Sequence, residues 1–137
     1  MSEMEQKLQA GNAVSFTIHG NSMFPLLVGE RDRVVVEPVG RLKRGMVALY
    51  RRDDGRLILH RIHRVSEEGI YMVGDNQSGI EGPLRRSQVL GEATVFFRGG
   101  RRIKKNDPGY VMYAGIWLMA RPFRKFFANL YHIFKRS

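Results

Sequence analysis

The sequence contains no cysteine among its 137 residues, which excludes disulfide bonds. Its four histidines lack the spacing of a metal-ligand set, and it has neither a phosphate-binding glycine loop nor a dinucleotide fingerprint. We therefore expect no metal and no cofactor. The apolar run from Tyr110 to Ala120 has eleven residues and ends at Arg121. Spanning a membrane takes ~20 apolar residues, so this run predicts no transmembrane helix.

Three short segments contain the residue types that hydrolytic catalysis needs. The first reads Gly-Asn-Ser-Met-Phe-Pro and contains Ser22, the second reads Leu-His-Arg-Ile and contains His60, and the third reads Gly-Asp-Asn and contains Asp75. A serine hydroxyl is a poor nucleophile at neutral pH, so it needs a base that takes its proton and an acid that orients this base. The three side chains fit these roles, although each one alone also fits a turn or a core position.

These segments resemble the superfamily that joins the type I signal peptidases to the self-cleaving phage and SOS-type repressors. The hallmark of that superfamily is a Ser-Met pair followed closely by proline, as in Ser22, Met23 and Pro25. The resemblance covers roughly residues 14–95. Most bacterial signal peptidases and the repressors use a lysine as the base, whereas the endoplasmic-reticulum and archaeal branch uses a histidine. With His60 as the base, this chain is most similar to that second branch.

The resemblance implies a coiled antiparallel β-sheet and a serine endopeptidase that cleaves precursor or leader peptides after small residues. Ser22 would attack the scissile carbonyl and His60 would take its proton. Asp75 would orient His60, and Glu81, six residues further along the chain, is the alternative acid. The side chains expected to line the pockets for the small substrate residues are Met23, Phe24 and Leu59.

Position 20 departs from the signal-peptidase pattern. Signal peptidases usually have a serine two residues before the nucleophile, and its hydroxyl helps to hold the oxyanion; this chain has Gly20 there. The oxyanion hole would then consist mainly of backbone N–H groups, including that of Ser22. Losing one donor can cost on the order of 100-fold in rate, so we expect slow or specialised turnover.

Two other functions stay open on the sequence. A repressor-like protein would cleave itself, and Ala10-Gly11 resembles the bond that such proteins cut. A membrane adaptor that has kept the fold but lost activity is the other, and the glycine at position 20 favours it.

Short runs of β-branched and aromatic residues predict a mainly β domain. Asp54-Gly55 predicts a hairpin turn between two of these runs. In the run that contains His60, strand alternation places His60 and Arg61 on opposite faces. Residues 1–12 predict a helical turn or a frayed terminus. The predicted strands are Ala13–His19, Arg33–Glu37, Met46–Arg51, Leu57–Val65, Ile70–Val73 and Val89–Phe97.

The charge balance changes abruptly near Arg98. Thirteen Lys or Arg stand against twelve Asp or Glu up to Phe97, whereas residues 98–137 hold ten against one. This tail contains a basic turn from Arg98 to Lys105, the apolar run, and a basic segment from Arg121 to Arg136 whose aromatic residues recur along one helical face. We therefore divide the chain into a catalytic domain, residues 1–100, and a basic amphipathic C-terminal segment, residues 101–137.

An aromatic helix with a cationic face can lie on an anionic membrane surface. The alternative is that its aromatic residues pack on the β domain. Nucleic acid is not expected as a partner, because no recognised reader motif accompanies the basic residues. The polar, acidic stretch from Met1 to Gly11 predicts neither a cleavable signal peptide nor an anchor. We expect peripheral membrane association on the cytoplasmic face and a leader or precursor peptide as substrate. A membrane partner protein is a further possible partner. The residues expected to contact the membrane are Trp117, Phe123, Arg124, Phe127 and Phe134.

Overall fold

Eight antiparallel strands form one sheet in the computed structural model, which describes residues 3–77 and 79–120. Helix α1 (Glu3–Gln9) precedes the sheet, helix α2 (Pro108–Ala120) follows it, and a 3₁₀ turn (Arg86–Gln88) leads into the seventh strand. The strands are β1 (Val14–Thr17), β2 (Arg33–Glu37), β3 (Val47–Arg51), β4 (Leu57–Ser66), β5 (Gly69–Val73), β6 (Glu81–Leu84), β7 (Val89–Arg98) and β8 (Arg101–Lys104).

The mainly β prediction is confirmed, and all six predicted strands are present with ends that differ by at most two residues. The predicted hairpin joins β3 to β4, where Gly55 adopts φ 91° and the Asp54 carboxylate accepts the backbone N–H of Arg56 at 3.0 Å. The sequence patterns do not predict β6 or β8. Because β8 pairs with β7, the sheet continues beyond residue 100, through the basic turn.

The sheet coils, so that strands far apart in its order approach each other. Its order is β1-β2-β7-β3-β4-β5-β6, with β8 attached to β7. Phe16 on β1 and Leu57 on β4 nevertheless line the same cleft, although three strands separate β1 from β4 in the sheet. The main core lies on this side of the sheet. Its central buried side chains include Met23, Leu27, Val34, Val36, Leu49 and Phe96.

Helix α2 packs by one side only. The Tyr110 ring lies 4.9 Å from that of Phe96 on β7, and Trp117 stacks on Tyr113 at a centroid distance of 6.2 Å. Within residues 3–77 and 79–120, no helix combines the length and the apolar character that crossing a bilayer requires. The aromatic segment expected at the membrane, with Phe123, Arg124, Phe127 and Phe134, lies outside the described residues.

Candidate active site

Ser22 lies in the loop between β1 and β2, and its main chain is fixed from two sides. The next side chain, Met23, is 1% exposed and anchors the loop in the core. The Ser22 carbonyl oxygen accepts the backbone N–H of Asn76 at 2.8 Å. A Cβ atom on Gly74 would lie 2.6 Å from that same oxygen, which is too close for any other residue type. The glycine of the Gly-Asp-Asn motif therefore allows this segment to lie against the Ser22 loop.

The backbone also accounts for the glycine two residues before Ser22. Gly20 adopts φ 77°, in the left-handed region where a residue with a side chain is strained. A Cβ atom there would meet nothing within 4 Å, so the conformation rather than lack of room favours glycine. With this loop conformation, a serine hydroxyl at position 20 would come only at the cost of backbone strain.

Ser22 and His60 line the same cleft, which has a volume of about 690 Å³ and lies between β1 and β4. Met23 and Leu59, two of the side chains expected near the substrate, also line it. The third, Phe24, is 48% exposed and does not line it. Among the described residues the Ser22 hydroxyl makes no hydrogen bond, to His60 or to any other group. Such pairs are often loose before substrate binds and tighten in the complex.

His60 is the first residue of a chain of polar contacts that runs through Tyr50 to Glu81. The His60 Nδ1 atom lies 3.2 Å from the Tyr50 hydroxyl, which donates its proton to Glu81 Oε1 at 2.7 Å. Arg52 holds the same carboxylate through Nε at 3.0 Å and Nη2 at 2.9 Å. Because Tyr50 has a single proton and gives it to Glu81, its oxygen can only accept from His60. This assigns the proton of the neutral imidazole to Nδ1 and leaves Nε2 as the basic atom.

The charges around His60 keep it neutral. Burial and the positive charge of Arg52 together lower its pKa to about 4, although the carboxylates of Glu81 and Asp75 partly offset both effects. The pKa of Glu81 lies below its ordinary value, since hydrogen bonds from Arg52 and Tyr50 outweigh the effect of burial. At physiological pH the site therefore holds a neutral base beside an ionised carboxylate, which is the state that a general-base mechanism requires.

This pKa predicts a loss of stability in mild acid. His60 has a folded-state pKa of about 4, below the ordinary value of 6.5. The unfolded chain therefore binds the extra proton first as the pH falls, and the free energy of unfolding decreases between pH 6.5 and pH 4. The full loss is on the order of 3 kcal/mol. Urea unfolding across this range measures it. His60→Gln should be markedly less sensitive to pH in the same window, and an unchanged slope in that variant would contradict the assignment.

Asp75 is buried on the other side of β4, away from His60. Its two carboxylate oxygens bind Arg61 Nε and Nη2, each at 2.7 Å, and both side chains are fully buried. Tyr113 on α2 donates to the same carboxylate at 3.0 Å. No hydrogen bond joins Asp75 to His60 in the described part of the chain. Of the two acids that the sequence offers, the structure brings Glu81 to His60, through Tyr50, and pairs Asp75 with Arg61.

The Arg61–Asp75 pair has further support. Burial disfavours a charged guanidinium, but the pKa of Arg61 is raised because Asp75 and Tyr110 accept its hydrogen bonds. Its Nη1 atom donates to the Gly45 carbonyl at 2.8 Å and to the Tyr110 oxygen at 3.1 Å. A buried ion pair is stable only when such additional hydrogen bonds are made, and here the guanidinium has them.

Sequence patterns missed Tyr50, Arg52 and Tyr113, because none of them belongs to a catalytic motif. Only the Asp-Gly hairpin could have indicated that Tyr50 lies near His60. Its register pairs Ala48 with His60, which places the Tyr50 side chain diagonally next to the imidazole. No comparable signal exists for Tyr113, because nothing in the sequence fixes where α2 docks.

A second buried carboxylate, also missed, fixes the far end of the Ser22 loop. Asp32 accepts the backbone N–H groups of Val28 at 2.7 Å and Gly99 at 2.9 Å, and the Arg31 Nε at 2.7 Å. Burial alone would raise its pKa, but these hydrogen bonds lower it to about 2. Asp32 therefore stays ionised and ties the loop to the end of β7.

The sequence model of the Peptidase S24-like family matches residues 2–94. The matched range includes Ser22, His60, Asp75 and Glu81, and it ends within β7, before β8 and α2. No curated protein matches the chain.

Proposed function

The chain belongs to the Peptidase S24-like family, and we propose that it is a serine endopeptidase with a histidine base, most similar to the endoplasmic-reticulum and archaeal signal peptidases. The family match supports a serine protease or a self-cleaving repressor-like protein. One observation carries the more specific proposal: Ser22 and a buried His60 line one cleft, and Tyr50 holds the Nδ1 side of the imidazole so that Nε2 is the basic atom.

In this mechanism His60 Nε2 takes the proton of Ser22 as Oγ attacks the scissile carbonyl carbon. The imidazolium then gives that proton to the leaving amine, and water releases the acyl group from Ser22 by the reverse sequence. The negative charge of Glu81, transmitted through the Tyr50 hydroxyl, stabilises the imidazolium. The backbone N–H of Ser22 contributes to the oxyanion hole.

The substrate proposed for this site is an extended precursor or leader peptide with small residues next to the cut. In the described sheet β1 pairs only with β2, so its other edge presents N–H and C=O groups beside Ser22. An extended peptide can add to such an edge as a further strand. The cleft surface that it would cover is largely apolar, with Met23 and Leu59 close to Ser22.

Mass spectrometry of a panel of synthetic leader peptides tests this proposal. Wild type should cut after small residues, and His60→Ala should not cut. Glu81→Gln should slow cleavage, whereas Glu68→Gln, which alters an exposed carboxylate bound to Tyr71, should leave the rate unchanged. Intact peptides in every reaction would count against an endopeptidase that acts on other proteins.

We also propose that the unpacked side of α2 lies on an anionic membrane surface. Helix α2 has no charged residue, and its outward side chains are largely exposed, with Met119 at 78%. Five basic residues of the neighbouring β7–β8 hairpin and its exit are exposed and complement anionic headgroups. Trp117, which the sequence predicts at the membrane, lies half-buried on Tyr113, and the exposed large side chains of the helix are Val111, Met112, Ile116 and Met119.

Sedimentation with lipid vesicles tests the membrane proposal. Wild type should bind vesicles of phosphatidylcholine with phosphatidylglycerol more tightly than vesicles of phosphatidylcholine alone. Ile116→Glu with Met119→Glu should weaken binding roughly tenfold or more, because two carboxylates would have to enter the interface. Val65→Glu, at an exposed valine on β4, is the matched control. If the double variant binds vesicles as tightly as wild type, this face of α2 does not contact the membrane.

Self-cleavage is the second candidate function, and one contact favours it. Met4 on α1 lines the cleft that holds Ser22, so the N-terminal helix already lies at the site. Ala10-Gly11 follows this helix and is exposed. The intact mass of the wild-type chain over time separates the two functions: loss of the first ten residues, independent of protein concentration, would indicate cleavage of the chain by its own Ser22.

A further inference from the structure

The two catalytic side chains lie on separate segments that meet at one buried ion pair. His60 is next to Arg61 on β4, and the Ser22 carbonyl is bound by Asn76, which follows Asp75. The Arg61–Asp75 pair, with its two contacts of 2.7 Å, therefore joins the strand of the base to the segment that holds the nucleophile. This link adds to the backbone pairing of β4 with β5, which extends to Arg61 and Val73.

Helix α2 covers the ion pair with two tyrosine side chains. The Tyr113 hydroxyl donates to Asp75 Oδ2 at 3.0 Å, and the Tyr110 oxygen accepts from Arg61 Nη1 at 3.1 Å. The Arg61 guanidinium carbon also lies 5.8 Å from the Tyr110 ring centroid and 5.9 Å from that of Tyr113. Each partner of the pair thus receives one polar contact from the same helix. Burial and the charge of Asp75 raise the pKa of Tyr113, so its hydroxyl remains a proton donor.

We infer that Tyr113 is a positioning residue: its hydrogen bond to Asp75 holds the Gly74–Asn76 segment against Ser22, so that helix α2 sets the geometry of the active site. The effect on catalysis rests on the proposed peptidase function, whereas the mechanical link does not. Tyr113 and α2 lie beyond the range that the family model matches, whereas Asp75 and Ser22 lie within it.

Hydrogen exchange of the Asn76 amide tests the link directly, because that amide makes the bond to Ser22. Tyr113→Phe removes one hydroxyl and keeps the ring. It should speed exchange of the Asn76 amide roughly tenfold, while β2 and β7 amides keep their protection. Tyr71→Phe removes a hydroxyl that donates to the exposed Glu68 at 2.8 Å and should leave Asn76 unchanged. Equal protection of Asn76 in wild type and Tyr113→Phe would overturn the inference.

A kinetic readout then separates positioning from general destabilisation. Tyr113→Phe should lower kcat roughly tenfold and leave KM within about twofold, because the Gly74–Asn76 segment does not line the cleft that binds the peptide. It should also slow acylation of Ser22 by a small serine-directed probe, whereas Tyr71→Phe should not. Unchanged kcat and acylation would overturn the catalytic part of the inference. A wild type that is never acylated would instead refute the peptidase function, and the exchange rates would still decide the link.

Discussion

Replacing Ser22 with alanine is expected to abolish peptide cleavage while leaving the fold intact. The change removes the oxygen that forms the acyl-enzyme, and the loss of such a nucleophile typically costs roughly 10⁴-fold or more in kcat. The loop should not move, because the contacts that fix it use the Ser22 carbonyl oxygen and the Met23 side chain rather than the hydroxyl. Rates of peptide cleavage by mass spectrometry, together with a thermal unfolding curve, measure both parts of this expectation.

The matched control is Ser66→Ala. Ser66 lies at the end of β4, where its hydroxyl donates to the Gly69 carbonyl at 3.3 Å, so it tests removal of a serine hydroxyl away from the cleft. It should cleave peptides at the wild-type rate. A serine-directed acylating probe should add its mass to wild type and to Ser66→Ala, but not to Ser22→Ala. Cleavage by Ser22→Ala at an undiminished rate would rule Ser22 out as the nucleophile.

Sequence patterns predict this fold well where local signals agree with the tertiary structure. The strand from Arg33 to Glu37 has the predicted bounds, because its three valines lie between a basic and an acidic residue and two of them, Val34 and Val36, are buried in the core. Strand β6 was missed because it contains Gly82-Pro83, and both residue types are depleted in strands. Strand β8 reads Arg-Arg-Ile-Lys and becomes a strand only because β7 offers its edge.

The candidate site shows the same division between local and tertiary information. Motif spacing pointed to Ser22 and His60, and the structure places both on one cleft. Motif spacing could not distinguish Asp75 from Glu81 as the acid, since the distance along the chain does not say which carboxylate approaches an imidazole. Alternation along β4 indicates that Arg61 faces away from His60. Because the structure buries Arg61 there, its guanidinium needs a carboxylate on that face of the strand, and Asp75 provides it. The contact of Tyr50 with His60 and Glu81 depends on strand pairing, and no sequence motif predicts it.

Asp75→Ala is expected to destabilise the protein severely. Removal of the carboxylate leaves the Arg61 guanidinium, which is 0% exposed, without its countercharge. Breaking a buried pair in this way costs about 3–5 kcal/mol, which would lower Tm by roughly 10–17 °C for a chain of this size. Asp53→Ala breaks an Asp–Arg pair of similar length, 3.0 Å to Arg85, with both side chains largely exposed. That change should cost only about 0–1 kcal/mol. Urea unfolding of the two variants measures the difference.

Replacing both partners of the buried pair separates stability from geometry. Arg61→Met with Asp75→Leu removes both charges and fills most of their volume, so it should recover much of the stability that Asp75→Ala loses. It cannot restore the bonds of Arg61 to Gly45 and Tyr110, or the bond from Tyr113 that holds the Asp75 segment beside Ser22. We therefore expect a double variant that folds but cleaves peptides slowly. Recovery of the wild-type rate together with stability would mean that packing alone positions Ser22 against His60, and that the ion pair contributes nothing specific to catalysis.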